Sequence, residues 1–154
     1  MQTGNKEVVS EVFCSGSEQI AFMFAEVASL EDMAGMDQGF VEASMSFDGQ
    51  LRGRLSIAVP KDACALIAGN VLGMEPDDPF VTTGAADSLK ELLNVTCGHI
   101  LTSLAGDRPV FDLSIPQVAD LDEEAVQALL AAPGTVAFRV EDAPVLVRLE
   151  LREG

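Results

Sequence analysis

The sequence predicts an α+β protein in which an antiparallel β-sheet packs with long helices. Several segments alternate between apolar and polar residues, which is the period of a strand with one buried face. Other, longer segments repeat apolar residues at the three- and four-residue spacing of a helix. The 154 residues suit one domain. We therefore expect strands with one apolar face, and helices packed on that face.

The first long helix is expected over residues 17–34, where apolar residues recur at helical spacing. Ser15 or Ser17 is its candidate N-cap, and Gly35 marks its end. The preceding letters, KEVVSEVF, fit either a short helix or a strand. We assign residues 1–14 to an N-terminal extension.

A β-hairpin is expected next, followed by a helix. Residues 40–47 and 55–59 alternate strictly, and Asp48-Gly49 between them predicts a tight type I′ turn. Pro60 suits the first turn of a helix, which we expect over 60–72. The apolar face of the hairpin comprises Val41, Ala43, Met45, Phe47, Leu55, Ile57 and Val59.

The second long helix is expected over residues 84–105, ending at Gly106. The acidic, proline-containing stretch 75–84 before it predicts a surface loop. That loop ends in Thr82 and Thr83, either of which is a candidate N-cap.

A strand over residues 111–115, ended by Pro116, follows the long helix. Asp120 or Asp122 is then expected to cap a short helix over 123–132.

Two strands, 136–140 and 145–152, close the chain around a turn at 141–144. A long helix followed by alternating strands thus occurs in 17–59 and again in 85–152. This repetition is one of pattern, without a residue-level repeat, and it predicts a pseudo-two-fold fold.

Composition excludes several functions. The net charge is −16 with nine basic residues, so binding to nucleic acid or to anionic lipid is not expected. Aromatic residues are limited to eight Phe, which leaves few platforms for base stacking. The sequence shows neither a signal peptide nor an apolar run of the roughly 20 residues that a membrane span needs. We expect a cytoplasmic protein.

The chain has an odd number of cysteines, Cys14, Cys64 and Cys97, and no two of them form a C-x-x-C pair. His99 is the only histidine. This composition argues against a disulfide framework and against a zinc site. We expect reduced thiols that pack as small apolar groups, and no metal of the protein's own.

A polar stripe runs along the helix expected over 84–105: Asp87, Glu91, Asn94 and Gly98. Residues three and four apart share one helix face, so these four stack above one another. Asn and Gly are poor helix formers, which suggests that the stripe serves a purpose beyond the helix itself. A solvated helix face is the alternative interpretation. The opposite face is expected to be buried and carries Leu89, Leu92, Leu93, Thr96, Ile100 and Leu104.

The string DSLKELLNVTCGHI resembles the D/S-x-x-x-E-x-x-N-x-x-x-G signature of the CheC/CheX/FliY chemotaxis phosphatases. Glu91 and Asn94 match its E-x-x-N core, and Asp87 matches its opening acid. The segments FDGQLRGRLSIAVP, ACALIAGNVLG and FDLSIPQVA resemble the family in order and spacing. Because the chain holds a single E-x-x-N, the similarity is greatest to CheX. It covers residues 15–152, which we assign to a CheX-like phosphatase domain.

The resemblance implies hydrolysis of the aspartyl phosphate of a CheY-like response regulator. Asn94 would orient the attacking water, and Glu91 would anchor the partner. The further partner-binding residues would be Asp87, Gly98 and Lys90, of which Asp87 and Gly98 shape the docking face and Lys90 flanks it. The Mg²⁺ is expected on the partner receiver, so the chain needs no cofactor of its own.

The resemblance also implies a homodimer, through exchanged strands or through edge pairing of the alternating strands near the C-terminus. The alternative function is a non-enzymatic module that binds a response regulator or a flagellar switch component without hydrolysing anything.

Overall fold

One antiparallel sheet forms the frame of the protein. The computed structural model describes residues 7–12, 25–28, 39–61, 64, 79–106, 111–140 and 143–152. The strands are β1 (Ala25–Ala28), β2 (Phe40–Asp48), β3 (Arg52–Pro60), β4 (Asp112–Leu113), β5 (Gln117–Leu121), β6 (Thr135–Val140) and β7 (Ala143–Arg152). The labelled helices are α1 (Pro79–Ala105) and α2 (Glu123–Ala131). Residues 7–12, 61 and 64 are also helical.

The strand order is β1-β6-β7-β3-β2-β4, and β5 pairs with β2 beside β4. Every pair is antiparallel; β2–β3 and β6–β7 join consecutive strands, and the other pairs join strands that are distant in the sequence. The central strands β2, β3 and β7 have long registers, such as Phe40↔Pro60 through Phe47↔Gly53. The α+β class predicted from the sequence is confirmed.

The two faces of the sheet are covered by different helices. The predicted apolar face of the hairpin is buried with α1 in the main core, where Leu55, Ile57 and Leu93 are fully inaccessible. On the opposite face, Val126 and Leu129 of α2 pack in a second cluster with Phe40. The expectation that helices cover only one side was wrong. Alternate residues such as Phe40, Ala58 and Leu146 give the second face enough apolar surface to bury a short helix.

The β2–β3 hairpin is confirmed, but its predicted two-residue turn is wrong. The register places Phe47 opposite Gly53, so residues 49–51 form a three-residue loop. The Arg52 guanidinium reaches the Asp48 carboxylate across the loop, with Nε 3.1 Å from Oδ1. Pro60 is the last residue of β3 rather than the first of a helix. Lys61 and Cys64 are helical, and the rest of the predicted helix 60–72 lies outside the described residues.

Part of the helix predicted over 17–34 is a strand. Residues Ala25–Ala28 form β1 and pair with β6 from Ala25↔Val140 to Ala28↔Ala137. The free edge of β6 supplies backbone partners, and this pairing overrides a local helical pattern. The remainder of 17–34, including the candidate caps Ser15 and Ser17, lies outside the described residues.

Helix α1 starts earlier than predicted, at Pro79, so the loop predicted over 75–84 was wrong from that residue onward. Thr82 and Thr83 lie inside the helix and are not its N-caps. Pro79 suits the first helical position because its missing N–H needs no partner there. The end at Gly106 is confirmed, with φ +83°. Glycine tolerates this left-handed conformation, and its N–H donates to the Thr102 carbonyl at 2.8 Å.

The strand predicted over 111–115 is shorter, and a second strand was missed. Only Asp112 and Leu113 are in β4, and β5 follows Pro116 on the same neighbour, β2. Asp122 is the N-cap of α2, and its Oδ1 accepts from the Ala125 N–H at 2.8 Å. Asp120 lies in β5 instead, 3.5 Å from the Lys61 ammonium.

Residues 7–12, which fall in the predicted N-terminal extension, are helical. Val9 is fully buried in the main core, and Val8 and Val12 pack partly against it. This segment therefore contributes to the core that supports α1.

Candidate active site on helix α1

The polar stripe lies on the exposed face of α1. Asp87, Glu91, Asn94 and Gly98 are all exposed, as their spacing predicts. The side chain of Asp87 is 85% accessible. The carboxylate of Glu91 and the amide of Asn94 therefore face solvent one helical turn apart, where a partner surface can reach both.

The opposite face of α1 fixes the orientation of the stripe. Five of the six predicted core positions are buried, and Leu104 packs partly against the same cluster. Ser88 and Leu101 are buried as well, although neither was among the predicted core positions, and so is Cys97, whose thiol was predicted to pack. With Leu89, Leu93 and Ile100 almost fully inaccessible, rotation of α1 about its axis would expose this apolar row.

Lys90 lies beside the stripe and interacts with one of its members. Its Nζ is 3.9 Å from Asp87 Oδ1, an i,i+3 pair, and its side chain is half-buried. An exposed pair of this kind contributes little to stability. Its effect is to place one cation next to the first carboxylate of an otherwise acidic stripe.

Gly98 leaves a gap in the stripe. A Cβ at this position would meet no atom of the described structure within 4 Å, so the packing of the fold does not require glycine here. The carbonyl of Gly98 accepts a hydrogen bond from Thr102 Oγ1 at 2.9 Å. The backbone of α1 is thus open to close approach by another surface at this point.

Cys97 and His99, the neighbours of Gly98, differ sharply in environment. Cys97 is 1% exposed, and burial raises the pKa of its thiol to about 11. Cys64 is also buried, and burial raises the pKa of its thiol. The prediction of reduced, packed thiols is confirmed at both positions; Cys14 lies outside the described residues. His99 is exposed beside the stripe.

Sequence reasoning missed a groove next to the stripe. It has a volume of about 270 Å³ and lies between residues 7–12 and α1. Its lining residues are Val8, Glu11, Val12, His99 and Ser103. The string KEVVSEVF, which fits a helix or a strand, could have indicated it, because residues 7–12 are helical and place Val8 and Val12 on one side.

The described residues contain no group of three or more His, Cys, Asp or Glu side chains that are placed to hold a metal ion. In the same part of the chain, no helix combines the length and apolar character that crossing a membrane requires.

Comparison with known families identifies the fold. The sequence profile of the chemotaxis phosphatase CheX matches residues 41–138, which include all of α1 and its stripe. The chain belongs to the CheX family. No curated protein sequence matches it significantly.

Solved structures of the CheX family share this architecture at low sequence identity. CheX from Vibrio vulnificus is 16% identical, with 99% of each chain covered and a TM-score of 0.73. CheX from Desulfovibrio desulfuricans is 13% identical, with 97% of this chain and 99% of that chain covered and a TM-score of 0.68.

A third similar structure is that of a CheX–CheY–BeF3–Mg²⁺ complex from Borrelia burgdorferi. It is 17% identical, covers 96% of this chain and 97% of that chain, and has a TM-score of 0.61. At these identities the structural comparisons establish the fold, and the family assignment comes from the sequence profile.

Proposed function

We propose that the chain hydrolyses the aspartyl phosphate of a CheY-like receiver, using Asn94 and Glu91 on the exposed face of α1. The single observation that carries the proposal is the joint exposure of these two side chains one turn apart on a helix whose other face is buried. Membership of a chemotaxis phosphatase family and the similarity to a CheX bound to CheY support it.

Hydrolysis of an aspartyl phosphate requires a well-positioned water molecule rather than a strong nucleophile. An acyl phosphate is already reactive, and water attacks phosphorus as the bond to the aspartyl oxygen breaks, releasing the carboxylate and inorganic phosphate. The carbonyl oxygen of the Asn94 amide can accept a hydrogen bond from that water and hold it in line. An amide carries no negative charge, so it is not repelled by the phosphoryl oxygens, as a carboxylate would be.

Glu91 is proposed to anchor the partner. Its exposed carboxylate lies one turn before Asn94, where it can pair with a cationic side chain of the receiver and set the register of docking. Asp87 adds a second carboxylate at the rim, and Gly98 allows close approach on the other side of Asn94. Lys90 neutralises part of the charge on Asp87 at 3.9 Å and so limits its role to the periphery. The Mg²⁺ is proposed to belong to the receiver, and the reaction is proposed to take place in the cytoplasm.

Substitution of Asn94 tests the enzymatic proposal. We expect Asn94→Ala to slow dephosphorylation about 100-fold, the order expected when a positioning contact is lost, with binding preserved. The measurement is the lifetime of a purified CheY-like receiver, phosphorylated with acetyl phosphate, with and without the protein. Affinity for the beryllofluoride-loaded receiver is measured in parallel. Gln127→Ala, which removes a partly exposed amide from α2, is the matched control.

The same experiment separates the alternative, a binding module without catalysis. In that case the wild-type protein binds the receiver but does not shorten the lifetime of its phosphate, and Asn94→Ala changes affinity at most. Glu91→Ala weakens complex formation under both hypotheses and therefore serves only to map the docking face.

We also propose that the chain forms a homodimer, as the resemblance to CheX implies. The C-terminal strands β6 and β7 lie inside the sheet, between β1 and β3, so their edges are already paired. The prediction of edge pairing through these two strands was therefore wrong. The β4–β5 edge has paired neighbours on one side only, and it carries the exposed apolar residues Leu113 (49% accessible) and Ile115 (83%). This edge is the proposed contact.

A further inference from the structure

The groove beside the polar stripe presents apolar surface that the fold buries only in part. Residues 7–12 are already anchored by Val9, which is fully buried in the main core. Val8 and Val12 are only partly buried, and both line the groove. Both valines pack partly against the main core, and the rest of each side chain is open to the groove.

The groove adjoins the stripe through His99, which lines it. His99 follows Gly98 directly and lies about 100° further around the helix, and Ser103 lies one turn beyond His99 on the same side. Gly98 has no side chain, and a Cβ there would meet no atom within 4 Å apart from its own helix neighbours, so position 98 itself does not obstruct a surface that reaches His99. A surface that covers Asn94 can therefore extend over His99 into the groove.

The charge around the groove has the same sign as that of the stripe. Glu7 and Glu11 are exposed on residues 7–12, and Glu11 lines the groove directly. Glu91 on the stripe is exposed as well. Lys90 lies about 180° around α1 from His99, on the far side of the stripe from the groove. The ligand that fits this surface is an apolar side chain flanked by Lys or Arg.

We infer that this groove is a second contact area for the same phosphorylated receiver, accepting an apolar side chain of the receiver between Val8 and Val12 while Glu11 pairs with a neighbouring cation. The inference rests on the proposed function, because it assigns the partner from the position of the groove beside the stripe. The groove contains none of the groups that act on the phosphate. It therefore governs affinity and the choice of receiver rather than the chemical step.

Filling the groove tests this assignment. Ser103 is exposed and outside the core, so Ser103→Trp obstructs the groove with little risk to folding. We expect the KM for the acetyl-phosphate-treated receiver to rise about tenfold, the effect of one lost apolar contact, while kcat at saturation stays unchanged. Ala128→Trp, at an exposed position on the helix that covers the opposite face of the sheet, is the matched control and should change neither constant.

Charge reversal provides an independent variant. Glu11→Lys should lower affinity for the beryllofluoride-loaded receiver about tenfold, whereas Glu124→Lys on α2, with the same change in net charge, should not. An unchanged KM for Ser103→Trp together with unchanged affinity for Glu11→Lys would overturn the inference. If the wild-type protein hydrolyses the phosphate and Asn94→Ala abolishes that activity, such a result removes the groove assignment and leaves the proposed function intact. If the wild-type protein shows no hydrolysis, the proposed function fails, and the affinity measurements still decide whether the groove binds the receiver.

Discussion

Gly98 is the residue at which stability and docking are expected to conflict. Glycine in an exposed helix costs about 1 kcal/mol relative to alanine, and nothing in the described structure obstructs a Cβ here. Gly98→Ala should therefore raise the free energy of unfolding by about that amount, as measured by urea denaturation. The added methyl group separates the two surfaces, so the KM for the phosphorylated receiver should rise.

The result for Gly98→Ala is informative in both directions. A more stable variant with an unchanged KM would show that no surface approaches the backbone closely at this position. A less stable variant would contradict the open environment around Gly98. Ser103→Ala, an exposed position on the same helix, controls for the general effect of alanine on α1.

Because of Cys97, we expect the stability of the fold to decrease at alkaline pH. Burial raises the pKa of its thiol from 9.0 to about 11, so between these values the unfolded chain loses a proton that the folded chain keeps. The unfolded state then binds fewer protons, and the free energy of unfolding falls as pH rises. As far as Cys97 is concerned, the free energy of unfolding keeps its full value below pH 9 and is about 2–3 kcal/mol lower at pH 11.

Denaturation curves at pH 8, 10 and 11 measure this loss. Cys97→Ala lacks the thiol, so its stability should fall less steeply over this range, and groups that titrate equally in both proteins cancel in the comparison. Parallel curves for the two proteins would contradict the assignment of this pH dependence to Cys97.

At the scale of elements, the sequence predicts best where one face of a segment is buried. Strands β2, β3, β6 and β7 and the exposed stripe of α1 follow directly from periodicity. The missed strands, β1 and β5, are short and lie toward the edges of the sheet, where pairing with a neighbour decides the conformation.

The candidate site likewise has one part that the sequence predicts and one part that it does not. Exposure of Glu91 and Asn94 follows from their spacing, because one helix carries both residues and its core. The groove arises where residues 7–12 meet His99 and Ser103, some 90 positions along the chain. No local pattern encodes that contact, so it could not be derived from periodicity.

The edge formed by β4 and β5 carries a prediction about assembly. Ile115 is 83% exposed between the two strands, and a lysine there would place charge on the proposed dimer contact. Ile115→Lys should shift the sedimentation coefficient from that of a dimer to that of a monomer without loss of helix content. Ala128→Lys, at an exposed position on α2, is the control. A wild-type protein that sediments as a monomer would contradict the dimer, and a dimeric Ile115→Lys variant would contradict this edge as its contact.

At the scale of the whole molecule, charge is unevenly distributed. The net charge is −16, and exposed carboxylates surround the proposed docking face on α1 and on residues 7–12. The outer face of the sheet, opposite α1, instead carries arginines that interact with neighbouring groups. Arg52 pairs with Asp48, and Arg54 donates to Ser44 Oγ. Arg148 Nη1 lies 3.8 Å from Glu150 Oε2. Exposed Asp122, Glu123 and Glu124 at the start of α2 make that side mixed in charge, whereas the carboxylates around Asn94 attract an approaching cationic surface.

This asymmetry predicts that association with the receiver is electrostatically steered. The association rate for the beryllofluoride-loaded receiver, measured by stopped-flow fluorescence, should fall about tenfold or more as NaCl rises from about 50 to 500 mM, because screening shortens the range of attraction. The kcat at saturating receiver should stay constant, since orientation of water by an amide involves no long-range charge. Glu11→Gln should reduce the salt dependence of association, whereas Glu124→Gln on the opposite side should not. A salt-independent association rate would show that the acidity of this face serves solubility and not encounter with the receiver.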